Sequence, residues 1–325
     1  MADNNLYTLS DFQNFIAEDL KNYAQYKNQD PLFQPMHYLL QIGGKRMRPA
    51  LVLIANQMLE GNLELARPAA LAVEVFHNFT LMHDDIMDQA PLRRGNETVH
   101  QKWNTNTAIL SGDAMMIESY RILSQSPQQH LQSLLQTFNE VALGVCKGQD
   151  LDMSFESRNE VHHDEYIEMI RLKTAILLGG ALQLGGIIAG ANQTTQDHLY
   201  KIGEELGLAF QLRDDYLDAF GDPEKFGKVV GGDIISDKKT YLRILLNERI
   251  TEDEKILANS KFDSDEKKVQ VIKSLMINHG IDMEAIQIAQ SYIDSALSHL
   301  DSIPATQNRK AELQNIILAL AKRES

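Results

Sequence analysis

The stretch FTLMHDDIMDQAPLRRG, residues 79–95, sets Asp84, Asp85 and Asp88 into a run that otherwise reads as buried helix. At 3.6 residues per turn, positions i and i+4 share a helix face and i+1 flanks it. Asp84 and Asp88 therefore point the same way, with Asp85 at the edge. The pattern recurs in FQLRDDYLDAF, residues 210–220, as Asp214, Asp215 and Asp218. A lone copy is compatible with a solvated helix end; a second copy on a second apolar helix is not readily dismissed. Clustered carboxylates repel one another unless something positive sits among them. Hard divalent cations supply that charge, and oxygen-only ligands select magnesium or manganese over zinc. Magnesium keeps waters and bridges carboxylates to phosphate, so the aspartates predict metal and the metal predicts a phosphorylated ligand.

Outward from these two segments the apolar periodicity is helical nearly everywhere, and no run alternates with period two between turns. Helices are expected over DFQNFIAEDLKNYAQY, HYLLQIG, ALVLIANQMLEG (opened by Pro49), 64–88, NTAILSGDAMMIESYRIL, 129–155, 164–191, 195–220, 238–248 and beyond Thr251. Ser10 with Gln13, and Thr251 with Glu254, have capping-box spacing. Residues 157–165 and the glycine-rich stretch 221–239 read as loops, with His162 and His163 solvated. The expectation is one all-α domain over residues 1–325.

Composition narrows the function. Hydrophobic residues make up 43% and charged residues 23%, and the net charge is −14. That balance argues against a nucleic-acid binder, which needs a basic face, and against stable docking on anionic membranes. Cys146 is the single cysteine, so no intrachain disulfide forms, and its apolar neighbours predict a buried thiol. The opening MADNNLYTLSDF has no secretory pattern, which makes the cytoplasm the expected compartment. TAILLGGALQLGGIIAGA, residues 174–191, reaches the lower length limit for a membrane span. Gln183 and the glycines at 179, 180, 185 and 186 read instead as a buried central helix in close contact with its neighbours.

Basic residues gather around the same segments. GGKRMRPA, residues 43–50, puts Lys45, Arg46 and Arg48 at a helix start, where backbone N–H groups also attract anions. Arg93 and Arg94 follow the first aspartates, Lys173 precedes the apolar helix, and Lys228 and Lys238 lie in or beside the glycine-rich loop. This distribution predicts two anion sites, one bridged by metal and one built of side chains alone.

With GGKRMRP, HNFTLMHDDIMD, LRRG, KTA, FQLRDDYLD, GKVVGGD and KKT in this order, the sequence resembles the trans-isoprenyl diphosphate synthases of the polyprenyl synthetase family. The resemblance implies a helical bundle around a central active-site cavity. It also implies head-to-tail condensation of isopentenyl diphosphate with an allylic diphosphate (dimethylallyl, geranyl or farnesyl). By position, Asp84, Asp85, Asp88, Asp214, Asp215 and Asp218 would anchor about three Mg²⁺ on the allylic diphosphate, with Mn²⁺ a possible substitute. Arg93, Lys173, Lys228 and Lys238 would hold that diphosphate, while Lys45, Arg48, His77 and Arg94 would grip isopentenyl diphosphate without metal. Lys173, Thr174 and Gln211 would act at the reacting centre, the last two and the nearby backbone turning oxygen dipoles toward the allylic cation.

For product length the resemblance points to Phe79, five residues before Asp84, with the small Thr80 beside it and Phe76 a turn deeper. One aromatic beside a small neighbour is similar to some geranylgeranyl synthases, so a C15–C20 product leaning to C20 is expected. GGD at 231–233 departs from the commoner pattern, in which the middle residue is larger or basic, and Gly232 is given no role. A homodimer is implied as well. The rivals are a terpene cyclase or head-to-head condensing enzyme on the same fold, and a non-catalytic partner subunit. The second DDxxD and the intact GGKRMRP speak against the first, the six intact aspartates against the second.

Overall fold

The computed structural model describes residues 6–27, 30–222 and 230–322. Its helices are α1 (Leu9–Lys27), α2 (Gln34–Gln41), α3 (Met47–Met58), α4 (Leu63–Met87), α5 (Val99–Lys102), α6 (Thr105–Leu123), α7 (Leu131–Ser157), α8 (His163–Ile170), α9 (Ile176–Ile188) and α10 (Gln193–Phe220). Within the glycine-rich stretch, expected as a loop, the GGD segment opens the short helix α11 (Gly232–Ile235), and after it come α12 (Tyr241–Arg249), α13 (Glu252–Ala258), α14 (Asp265–Asn278), α15 (Ile281–Ser302) and α16 (Gln307–Ala321). The all-α expectation holds with one addition. LRRG is not a plain loop: β1 (Leu92–Arg93) and β2 (Asn96–Glu97) pair antiparallel, Arg93 opposite Asn96. Arg94 and Gly95 between them both have positive φ, 52° and 77°, the two-residue turn whose twist suits a hairpin.

The chain divides into two compact units. The first comprises Met1–Glu140, Gly180–Tyr200 and Ile303–Leu313; the second comprises Val141–Gly179, Lys201–Ser302 and Gln314–Ser325. The first is organised on α4, which packs along α6 and α3. Asn62 caps α4 by accepting from Glu64 N–H at 3.0 Å, and its core face carries Val73, Val75, Phe76 and Met82, all at most 1% exposed. In the second unit Tyr166, Met169, Leu208, Leu212, Tyr241, Leu245, Ile272 and Ala289 belong to one buried cluster.

The apolar segment 174–191 is buried as expected: Ala175, Ala181 and Leu182 are fully shielded and Leu184 nearly so. Its Gly185 lies against the Val52 carbonyl, at a spacing that leaves no room for a Cβ. Two local expectations fail. Cys146 is exposed, because α7 turns Gly144 and Gly148 inward at i and i+4 and Cys146 falls on the opposite side. The box that opens α1 is Thr8 with Asp11, not Ser10 with Gln13: the Thr8 N–H and hydroxyl donate to Asp11 Oδ2 at 2.8 and 2.7 Å. Gln13 reaches instead to the Lys45 carbonyl. Thr251 and Glu254 do form the reciprocal box at the start of α13.

Candidate active site

In the first unit the aspartates close α4. Asp88 is its C-cap and donates its N–H to the Asp84 carbonyl at 2.8 Å. Asp84 is half-buried, Asp88 is exposed, and Asp85 is only 2% exposed. A carboxylate so buried needs a partner, and the hairpin delivers one: Arg93 Nε lies 2.9 Å from both Asp85 oxygens and Nη2 lies 2.7 Å from Oδ1. Asp85 and Arg93 thus engage each other.

A basic site assembles beside this pair. Arg46 caps α3 in a left-handed conformation, φ 45°, which turns its side chain inward to Glu74 on α4 and, at 2.5 Å, to the Leu40 carbonyl. The Arg46 and Glu74 side chains are 8% and 3% exposed, and Glu74 also accepts from Asn78 Nδ2 at 2.9 Å. Gln13 Nε2 donates to the Lys45 carbonyl at 2.5 Å, and Arg94 donates to the Gly43 carbonyl. The loop holding Lys45 is therefore fixed from three directions, while the lysine itself is exposed. Arg48 Nη1 lies 3.2 Å from His77 Nε2. Burial, and then Arg48, Arg94, Arg93 and Arg46, hold His77 well below the usual imidazole range. Burial likewise lowers Arg48, with Glu74 opposing. Arg46, Arg48, Arg93 and Arg94 gather their charge around His77 in an acidic protein, and the exposed Lys45 sits on the adjoining loop. Arg46 was expected among the basic residues, but its burial on Glu74 was not anticipated; the available signal was an acidic residue inside the apolar run LAVEVFHN, one turn before His77.

Phe76 and Phe79 lie on the same helix, 1% and 7% exposed, with ring centroids 5.5 Å apart. Thr80 is half-buried and its hydroxyl donates to the His77 carbonyl at 2.8 Å.

In the second unit the aspartates end α10, and again the middle one is buried, Asp215 at 5%. It accepts from Tyr166 Oη at 2.7 Å, Gln211 Nε2 at 3.2 Å and the Tyr241 N–H at 3.3 Å. Burial pushes Asp215 up to about 6 against these three bonds. Burial and the neighbouring Asp215 carboxylate drive the Tyr166 phenol well up, so it stays protonated as the donor. Asp214 and Asp218 are half-buried, and Asp218 Oδ1 accepts the Asp233 N–H at 2.9 Å, tying GGD to the end of α10. Lys238 is mostly exposed, 3.9 Å from Asp233. Lys228 lies outside the described residues.

Lys173 and Thr174 sit in a π-helical turn, Arg171–Ala175, where a regular helix was expected. Such a turn carries one extra residue and realigns the carbonyls around it. Neighbouring helices make room with glycine: a Cβ on Gly148 would overlap the Lys173 backbone, and one on Gly207 would overlap Ala175. Lys173 Nζ pairs with Asp152 at 2.6 Å, Gln211 serves Asp215, and Thr174 is half-buried.

The donor set fits magnesium. Among the described residues no three His, Cys, Asp or Glu side chains converge into a closed cage. Asp84 with Asp88, and Asp214 with Asp218, instead offer oxygen ligands one helical turn apart. Magnesium takes one or two carboxylates and completes its shell with water and phosphate.

Comparison with known proteins agrees with this construction. The profile of the family Polyprenyl synthetase matches residues 29–278. Geranylgeranyl diphosphate synthase of Saccharolobus solfataricus is 37% identical over 320 residues, 95% of this chain and 94% of that protein. A crystal structure of a geranylgeranyl pyrophosphate synthase superposes with a TM-score of 0.91 at 43% identity, covering 98% of this chain and 100% of the other. The Corynebacterium glutamicum geranylgeranyl pyrophosphate synthase, solved with isoprenyl diphosphate and magnesium, gives 0.85 at 26% identity over 98% and 100% of the two chains. With matching motifs, a matching helical architecture and alignment nearly end to end, the chain belongs to the polyprenyl synthetase family.

Proposed function

We propose that the chain is a Mg²⁺-dependent prenyltransferase. It joins isopentenyl diphosphate head-to-tail to dimethylallyl, geranyl or farnesyl diphosphate, giving an all-trans C15–C20 diphosphate with C20 as the main product. The observation that carries this reading is the cationic cluster of Arg48 and Arg94 around His77, a neutral imidazole, with Lys45 on the adjoining loop. A diphosphate held by side chains alone is what a second, non-ionising substrate requires, and a cyclase has no use for it. The relatives named geranylgeranyl diphosphate synthase support C20.

Of the six aspartates expected to anchor metal, on this reading Asp84, Asp88, Asp214 and Asp218 carry the ions, while Asp85 and Asp215, buried on Arg93 and Tyr166, hold the clusters in shape. Magnesium held there, which we put at about three ions, would supply the positive charge that a departing pyrophosphate needs. Arg93, Lys173, Lys228 and Lys238 bind the allylic diphosphate, and Lys45, Arg48, His77 and Arg94 orient isopentenyl diphosphate. The allylic C–O bond breaks, the isopentenyl double bond attacks the allylic carbon, and the proton then lost goes to the released pyrophosphate. Thr174, Gln211 and the carbonyls of the π-turn direct oxygen dipoles at the transient cation. Phe79 forms the floor that stops the tail, with Thr80 beside it and Phe76 beneath.

We place the enzyme in the cytoplasm as one catalytic domain that forms a homodimer and binds no nucleic acid. The exposed apolar stripe on α6, Ile109, Leu110, Met116 and Ile117 at 41–67%, supports the homodimer. The deciding experiment supplies purified protein with Mg²⁺, labelled isopentenyl diphosphate and each allylic starter, then separates the dephosphorylated alcohols. A C20 alcohol abolished by EDTA is the expected result. Cyclised hydrocarbon, or no incorporation from any starter, would overturn the reading.

A further inference from the structure

Phe79 is one rung of a longer stack. His83 meets its ring at 4.8 Å and 66°, and Phe79 meets Phe76 at 5.5 Å and 51°. Phe76 meets Phe138 of α7 at 5.3 Å, and Phe138 meets Tyr120 of α6 at 5.1 Å. Both ends are fixed by hydrogen bonds. Tyr120 Oη donates to Asn139 Oδ1 at 2.7 Å, and His83 Nε2 lies 3.2 Å from the Ile109 carbonyl. A carbonyl only accepts, so His83 carries its proton on Nε2. The ring reaches α6 because Gly112 leaves a notch there: a Cβ at that position would overlap His83 Nε2 and Cδ2.

We infer that His83, seated in the Gly112 notch, is a positioning residue that sets where the Phe79 ring stands and hence the length at which the prenyl tail stops. The inference rests on the reading of Phe79 as the floor. Phe79 is confined between two rings, Phe76 and His83, and tilted ring pairs hold each other in orientation. Phe76 is itself buried against Phe138 and cannot retreat without repacking the core. His83 is half-buried at the open end of the stack, so the floor is adjusted at this end. Its height follows from the depth of the notch on α6 as well as from the residue at position 79.

The two partners of the seat predict effects of opposite sign. His83→Ala vacates space beside Phe79, lets the ring swing aside, and raises the share of products beyond C20 several-fold. Gly112→Ala drives the His83 ring off α6 toward Phe79 and moves the distribution to shorter products. His83→Gln keeps a donor for the Ile109 carbonyl and so preserves the helix contact; lacking the ring, it lengthens products as alanine does. The assay is the alcohol profile of each purified full-length variant with farnesyl and dimethylallyl diphosphate, beside Phe79→Ala. A residue needed only for stability would change total turnover and leave the profile alone. Unchanged profiles in the His83 and Gly112 variants, with Phe79→Ala lengthening products, would overturn the role of His83 while leaving the floor intact. An unchanged profile in Phe79→Ala would overturn the floor and the inference together.

Discussion

Arg48 donates from Nη1 to His77 Nε2 across 3.2 Å, so the imidazole sits among guanidinium groups as an acceptor. An arginine has no lone pair to offer, so this bond exists only while His77 is neutral at Nε2. The geometry that gathers these guanidinium groups thus keeps one histidine from charging.

The first prediction follows from that exclusion. In the unfolded chain His77 protonates near pH 6.5. In the fold it resists protonation, through burial first and then Arg48 and its neighbours. As pH falls through about 6.5 the unfolded state binds the extra proton and the native state does not, so stability is present above that value and lost below it. The thermal midpoint of the wild type should fall more steeply below about pH 6.5 than that of His77→Gln, which has no proton to take up. Parallel pH profiles would show that His77 is not held neutral.

The Arg46–Glu74 pair predicts a defect confined to one substrate. Both side chains are nearly sealed from water, and breaking such a pair leaves an uncompensated charge, at about 3–5 kcal/mol. Glu74→Asp keeps the charge but shortens the reach, so the loop carrying Lys45 should loosen without unfolding the protein. We expect KM for isopentenyl diphosphate to rise by about tenfold or more, the equivalent of ~1.4 kcal/mol. KM for the allylic substrate should be unchanged. Steady-state kinetics with each substrate varied in turn checks this, and an equal rise in both constants would place Glu74 outside the isopentenyl diphosphate site.

The aspartates of the first motif should separate into two kinds. Asp88 is exposed and Asp84 half-buried, whereas Asp85 is buried on Arg93. Asp84→Asn and Asp88→Asn should raise the Mg²⁺ concentration needed for half-maximal rate, with little change in thermal midpoint for Asp88. Asp85→Asn should lower stability and cost activity by about 10–100-fold, the range for a residue that orients a ligand from behind. A Mg²⁺ titration of each variant with a melting curve distinguishes the two. A pure Mg²⁺ effect from Asp85 would make it a ligand like its neighbours.

The local features of this region were legible in the sequence. The DDxxD spacing placed Asp84 and Asp88 on one face because helical periodicity is local, and the apolar burial of 174–191 followed from composition alone. What escaped is what depends on chain segments meeting. The engagement of Arg93 with Asp85 comes from a hairpin too short to leave a period-two pattern. The inward turn of Arg46 hangs on one residue with positive φ. Cys146 went wrong because an apolar neighbourhood in sequence says nothing of which side of a helix carries the glycines. The π-turn at Lys173 gave no sequence signal of its own; its trace lies in distant glycines at 148 and 207, which mean nothing until the helices are packed.

Those glycines give the last prediction. A Cβ at Gly148 would overlap the nitrogen and Cα of Lys173, and backbone yields far less readily than a side-chain tip. Gly148→Ala must therefore either push α7 away or straighten the turn that presents Lys173 and Thr174. Overpacking of this kind costs about 1–3 kcal/mol, small enough for the protein to remain folded. Alanine also favours helix over glycine, which offsets part of that cost in α7. The loss should thus fall on chemistry more than on stability: kcat drops, while KM for isopentenyl diphosphate, whose proposed contacts belong to the other unit, stays near wild type. Cys146→Ala, two residues away on the exposed side of the same helix, is the control and should leave both constants unchanged. If Gly148→Ala turned over substrate like the wild type, the π-turn would have no part in catalysis.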